Sequence, residues 1–328
     1  MEPKPNAFFT DSLWHRIVLK FRERYLKKYK PEVIGKSKLL ITSVEYSNKL
    51  IYDAILRDKP FMFGRFGSVE LSTVTNYTGI KKPCRNYYKL VRGEIQPWWW
   101  LRGIRKTMYE NTGFFNPTPD NLSRFAELIL EDMKELDILA SLSAEEEYFR
   151  HLFPKAKRVS FNSTEPFFCI YPWTHALAGK KVLVVHPMTD SIRKQWDIRE
   201  KIWPDGMMPE FELKTLKAVQ TIAGEKSQFA SWFDALGFMK EEINKIEFDV
   251  CIIGCGAYGF PLAAHVKRMG KKALHFGGVT QLFFGIRGKR WENDPHFPFT
   301  NFMNEHWIRP GKSETPGNAG IVEGGCYW

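Results

Sequence analysis

The sequence predicts an α/β fold: a mostly parallel sheet with helices on both faces. Three observations carry this. Lys181–His186, Phe248–Ile253 and Lys272–Phe276 are short, nearly continuous apolar runs, as expected of strands buried on both sides. Stretches with apolar residues at helical spacing alternate with them. Glycine turns follow strands at Gly64-Arg65-Phe66-Gly67, at Gly254 to Gly259 and at Gly277-Gly278.

Residues 1–37 stand apart from a single domain over 38–328. Between 11 and 30, Trp14, Val18, Phe21, Tyr25 and Tyr29 recur at helical spacing, with Arg16, Lys20, Arg22, Arg24, Lys27, Lys28 and Lys30 between them. This is a basic amphipathic helix, ended by Lys30-Pro31. Its aromatic stripe either packs on the domain or lies on an anionic membrane surface.

A helix is expected over Val44 to Leu56 and a strand over Phe61 to Phe63. Ser68 is expected to cap a helix carrying Val69, Leu71 and Val74. Residues 77–117 read as an irregular aromatic insertion of the substrate-loop kind, with Tyr87-Tyr88, Trp98-Trp99-Trp100 and Asn116-Pro117. At least two of the three tryptophans are assigned to packing. Then follow a helix from Asn121 to Leu136, a strand from Ile138 to Leu142, a helix from Glu145 to Phe153 and a strand from Arg158 to Phe161. After the strand at Lys181, Ser191 caps a helix running to Ile202. Phe211 to Gln220 has strand-like stretches, and Phe229 to Ile246 is a long helix. Helices are also expected over Phe260 to Met269 and from Thr280. The tail from Pro295 is loop-like, and its aromatic end packs back on the body.

The 328 residues are 44% apolar, enough for one large core. The formal charge of +11 favours an anionic partner: nucleic acid, an acidic membrane or a phosphorylated substrate. The aromatic share of 15% suits ring-shaped ligands and a bulky core equally. The five cysteines are scattered, without zinc-ligand spacing, which points to a reducing compartment. No apolar run reaches the roughly 20 residues of a membrane span. The expected location is the cytoplasm, on the inner membrane face if the basic helix binds lipid.

Three stretches carry candidate chemistry. At the first turn, Arg65 and Glu70 bracket a glycine turn leading into a helix N-terminus, a place for an anion, with Gly67 and Ser68 at its mouth. The plainer alternative is an Arg65–Glu70 pair across an ordinary connection. Gly254-Cys255-Gly256-Ala257-Tyr258-Gly259 matches G-x-G-x-x-G between a strand and a helix. The next strand ends in His275-Phe276-Gly277-Gly278 without the acidic residue a dinucleotide site wants, so phosphate binding is kept and NAD(P) is not, the alternative being a glycine loop that merely lets the helix pack closely. His186 ends a third strand and either touches a diphosphate, moves a proton or is structural. Gln281 and the cations Arg287, Lys289 and Arg290 follow the last strand, the cations forming either a concentrated anion site or a solvated basic loop. No nucleic-acid motif interleaves the basic residues, and no nucleic-acid partner is expected.

Gly64-Arg65-Phe66-Gly67-Ser68-Val69-Glu70, the glycine loop, Phe284 to Trp291 and Val322-Glu323-Gly324-Gly325-Cys326-Tyr327-Trp328 together resemble bacterial GT-D-type glycosyltransferases of surface-polysaccharide and glycoprotein assembly. The resemblance spans most of the chain beyond about residue 40 and implies a Rossmann-like fold. It further implies sugar transfer from a nucleotide-diphosphate-sugar to a glycan or lipid-linked saccharide. That family carries an Asp-x-Glu after the turn, which holds a divalent metal. Here Glu70 matches and Ser68 stands at the aspartate position, so Mg²⁺ or Mn²⁺ binding through Glu70 is weakened. The implied roles are leaving-group stabilisation by Arg65, Lys289, Arg290 and the glycine-loop amides around Gly254, Gly256 and Tyr258, with Glu70, Glu323 and His186 as candidate bases. Two other readings stay open: a hydrolase of nucleotide- or sugar-phosphates, and a non-catalytic nucleotide- or glycan-binding protein at the inner membrane surface.

Overall fold

Continuous apolar runs give strands that bury both faces, and strands of that kind pair in parallel when helices cover the sheet. In a computed structural model, which describes residues 12–30, 42–295 and 297–328, the chain follows this rule. The strands are β1 (Phe61–Gly64), β2 (Ile138–Ser141), β3 (Lys157–Ser160), β4 (Lys181–His186), β5 (Glu212–Lys217), β6 (Val250–Ile253) and β7 (Lys272–His275). They form one sheet in the order β3-β2-β1-β7-β6-β4-β5, with every neighbouring pair parallel. The fold is Rossmann-like α/β, as expected. The N-terminal and C-terminal strands meet only where β1 pairs with β7, Phe61 opposite Lys272 and Phe63 opposite Leu274.

The helices are α1 (Leu13–Tyr29), α2 (Val44–Leu56), α3 (Ser68–Lys81), α4 (Tyr87–Val91), α5 (Arg102–Thr112), α6 (Pro119–Asp132), α7 (Thr189–Trp196), α8 (Arg199–Ile202), α9 (Trp232–Asn244), α10 (Gly259–Arg268), α11 (Thr280–Phe283) and α12 (Lys289–Glu292). The period-2 alternation of the strands divides the core. Met62, Leu183, Val185, Cys251 and Ile253 face a layer built on α3, α5, α6, α9 and α10. Phe61, Phe63, Val182, Val184, Val250 and Ile252 face a layer built on α2, α7, α8 and α11. Among the described residues no helix is long and apolar enough to cross a membrane.

Several local expectations are corrected. Gly67, not Ser68, is the N-cap of α3, and Ser68 is its exposed first residue. Ser191 lies inside α7 and caps nothing; the helix ends at Trp196, and α8 is a separate turn. The segment Ala144–Leu152 is a run of 3₁₀ turns capped by Ser143 and Glu146. The aromatic stripe of α1 is divided. Of its five residues only Val18 is buried, while Trp14, Phe21 and Tyr29 are exposed. The inward face is made by Val18, Leu26 and the stem of Arg22, whose guanidinium donates to the Ile95 carbonyl at 2.8 Å.

The stretch 77–117 is largely helical, not an irregular loop. It holds the end of α3, then α4 and α5. Trp99 and Trp100 are buried and Trp98 is half-buried, so the tryptophan run is packing. Its shape depends on buried Asn76 of α3. The Asn76 amide donates to the carbonyls of Pro97 and Trp99 at 3.1 Å each, and its carbonyl accepts from the Leu101 N–H at 3.0 Å. One side chain thereby satisfies three backbone groups of a chain that makes no ladder there. Asn76→Ala leaves all three without this partner, the Pro97 and Trp99 carbonyls in buried positions. The expected cost is about 3–5 kcal/mol in urea unfolding, far above a surface substitution.

Candidate functional site

In an open parallel sheet the loops at the strands' carboxyl ends are the place for a ligand. Here they enclose a pocket of about 300 Å³. Every strand contributes: Arg65 to Glu70 after β1, Leu142 after β2, Phe161 after β3, His186 at the end of β4 with Pro187 and Met188 beyond it, Val219 to Ile222 after β5, Gly254, Cys255, Gly256 and Tyr258 after β6, and His275 at the end of β7 with Phe276 to Gly278 beyond it. The end of α5, Gln281, Arg290, Glu323, Tyr327 and Trp328 complete the wall. Of the sequence-predicted residues, Arg65, Gly67, Ser68, Glu70, His186, Gly254, Gly256, Tyr258, Gln281, Arg290 and Glu323 therefore line one pocket. Arg287 and Lys289 do not. The Arg287 guanidinium donates to the Trp307 carbonyl at 2.7 Å, and Lys289 reaches the Gly324 carbonyl at 3.5 Å.

Arg65 forms the floor. It is buried, ion-paired to buried Glu165 at 2.9 Å, and donates to Thr164 Oγ1 at 2.6 Å. Its guanidinium lies 4.2 Å from the Phe161 ring centroid and 4.9 Å from that of Phe276. The alternative Arg65–Glu70 pair is thus corrected: the partner is Glu165, a distant contact that a linear reading lacks. Burial pushes the Glu165 carboxyl up, with Arg65 pulling the other way.

Glu70 folds back over its own helix start. A Cβ on Gly67 would meet Glu70 Oε2 at 2.1 Å, so glycine leaves the room for this carboxyl group. The residue is half-buried, and its carboxyl sits deep enough that desolvation raises its pKa. His186 is buried, and burial lowers it to about 3. Its Nδ1 accepts from the Met188 N–H at 3.1 Å, which leaves a proton on Nε2. The ring is a neutral donor rather than a base near neutral pH. Glu323 is ion-paired to Arg290, and Arg290 also donates to Tyr327 Oη at 3.1 Å. Glu70 is thus the pocket carboxyl without a cation on it. Gln281 spends its amide on the carbonyls of Ile286, Arg287 and Tyr327, which holds the tail against the pocket. Tyr258 stacks on Trp232 at 4.9 Å and shares a 3.3 Å hydrogen bond with Thr221.

The glycine loop has packing reasons for its glycines. A Cβ on Gly254 would meet the Gly277 carbonyl at 2.5 Å, and Gly256 has φ +56° with the Thr112 carbonyl 2.7 Å from its Cβ position. The same tight turn leaves amides unspent. Among the described residues, the N–H groups of Cys255, Gly256 and Ala257 have no acceptor. The α7 start is different, because the Glu314 carboxylate accepts from the N–H groups of Asp190 at 2.8 Å and Ser191 at 3.2 Å. The residues that sequence reasoning missed, Glu165, Glu314, Thr221 and Asn111 to Gly113, lie far along the chain from the groups they serve and carry no local signal.

Among the described residues no three His, Cys, Asp or Glu come together as a metal site. The donor set agrees with a poor fit: Ser68 offers only a hydroxyl beside Glu70, and desolvation favours the neutral acid. Comparison with protein-family models, with curated proteins and with solved structures finds no match.

Burial of neutral imidazole leaves a pH signature. His186 and His275 both have the ordinary value of 6.5 lowered to about 3 in the folded chain. Between these values the unfolded state binds more protons, so this contribution to stability is lost as pH falls below about 6.5. The raised carboxyls of Glu70 and Glu165 act in the opposite direction, so the histidine effect is read as a difference. From pH 7 to pH 5 the native chain is expected to lose about 2 kcal/mol more than His275→Gln, measured by urea unfolding at each pH.

Proposed function

We propose that this chain is a glycosyltransferase that moves a sugar from a nucleotide-diphosphate-sugar to a glycan or lipid-linked saccharide in surface-polysaccharide assembly. One observation carries the reading: Cys255 and Gly256, whose amides have no acceptor among the described residues, the Arg290 guanidinium and the Glu70 carboxyl line one pocket at the strands' carboxyl ends. Amides and a guanidinium suit a diphosphate, and a desolvated carboxyl suits a hydroxyl proton. The resemblance of the Gly64–Glu70 turn and the tail to GT-D-type enzymes supports the choice of sugar transfer over other phosphate chemistry.

In this reading the acceptor hydroxyl oxygen attacks the anomeric carbon. The bond from that carbon to the β-phosphate oxygen breaks, and the nucleoside diphosphate leaves with the electron pair. Glu70 takes the hydroxyl proton. The Cys255 and Gly256 amides and Arg290 stabilise charge as it builds on the diphosphate. His186, neutral and donating from Nε2, adds a hydrogen bond to an acceptor oxygen in the pocket. The residues do not fit a protein-built divalent-cation site, and no step is routed through one.

A thermal-shift screen of UDP-, GDP- and CDP-sugars tests the site, since a ligand bound to the folded chain raises its melting temperature. The expected result is a shift with one nucleotide class and sugar transfer to an acceptor. Glu70→Gln is expected to keep the shift and to lower turnover by about 10²–10⁴-fold. Unchanged turnover in Glu70→Gln removes the base assignment. No shift with any nucleotide overturns the site, and donor loss that no acceptor accelerates replaces transfer by hydrolysis.

A further inference from the structure

An amphipathic helix normally turns its apolar side to the body and its charges to water. Helix α1 departs from this. At 3.6 residues per turn, Val18, Arg22 and Leu26 fall on one side and face the body, while Leu13, Ile17 and Phe21 fall on the other. Leu13 is 68% exposed, Trp14 55% and Phe21 56%. The exposed cations Lys20, Arg24 and Lys28 continue the same outward side. The ridge extends onto α4: Tyr87 meets Trp14 edge-on at 5.9 Å, and Tyr88 is 69% exposed beside Arg92. Among the described residues nothing covers it.

The ridge is held in place. His15 stacks on Trp99 at 3.8 Å, and the Arg22 guanidinium donates to the Ile95 carbonyl at 2.8 Å and to Gln96 Oε1 at 3.0 Å. The outward apolar side is therefore presented by a body that already uses the helix's other side.

We propose that α1 and α4 together form a docking face for an anionic lipid bilayer. Leu, Ile and Phe side chains on such a ridge reach the acyl boundary, Trp and Tyr sit at the headgroup level, and flanking Lys and Arg meet anionic headgroups. The formal charge of +11 adds long-range attraction to the same surface. Charge complementarity selects this occupant: exposed rings ringed by cations match headgroups over acyl chains. This face contributes no residue to the pocket, so the inference stands apart from the enzymatic reading.

Cosedimentation of the full chain with vesicles tests it, comparing phosphatidylserine-containing phosphatidylcholine with phosphatidylcholine alone. The expected result is binding to the anionic vesicles that weakens as salt rises. Leu13→Ser/Phe21→Ser is expected to weaken binding about tenfold or more with the melting temperature unchanged, because both residues are exposed. Lys20→Glu/Lys28→Glu is expected to do the same, each cation being worth about fivefold at an anionic surface. No binding to anionic vesicles at low salt overturns the proposal. So does equal binding to neutral vesicles, vesicle binding that ignores both double variants, or capture of RNA or DNA through these residues in place of vesicles.

Discussion

The buried ion pair between Arg65 and Glu165 is the interaction on which the site depends. It joins the end of β1 to the turn that follows β3, across the intervening β2, and the guanidinium also lies against Phe276 beyond β7. A charge taken out of water is costly unless it is paired and hydrogen-bonded. Here the pair is supplemented by Thr164 and by two aromatic faces. Removing either partner would leave a charge stranded under the pocket. The arrangement makes the floor stiff and leaves the ligand-facing work to groups above it.

Those groups are arranged by what has already been satisfied. The N-terminus of α7 is filled by Glu314, and that of α3 is covered by Glu70. The turn after β6 has no such internal anion, because its glycines let three loops crowd together without a side chain between them. Among the described residues an opening without an internal anion thus survives at the turn after β6, in the pocket whose edge also carries Arg290, held by Glu323 and Tyr327. The contrast between Glu70 and His186 follows from burial as well, which raises the acid and keeps the imidazole neutral.

Strands β4, β6 and β7 were legible because a continuous apolar run has few other uses, and α2 was legible to its ends because Ser43 and its apolar spacing agree. The loops that follow strands were legible through their glycines. The stretch 77–117 was not, since Pro97 and the tryptophans mask α5, where only Ile104, Met108 and Thr112 are buried on an otherwise charged helix. Distant partners were equally hidden. Nothing near Arg65 announces Glu165, and nothing near Ser191 announces Glu314. Lys289 and Arg287 differ from Arg290 for the complementary reason: proximity in sequence to Arg290 does not put their side chains in the pocket lining, because they reach the Gly324 and Trp307 carbonyls instead.

The seam between β1 and β7 has a kinetic consequence. Strands β1 to β3 are contiguous in sequence, as are β4 to β7, and only the β1–β7 pairing joins the two half-sheets. Closing that pairing spans the longest loop in the sheet, and loop-closure entropy is met before its contacts are gained. The half-sheets are therefore expected to order before the seam closes. The pocket straddles the seam, with Arg65 on one side and Gly277 on the other. Affinity for any ligand of this pocket would then be among the last properties to emerge during refolding, and such a ligand, present early, would stabilise the docked halves rather than either half alone.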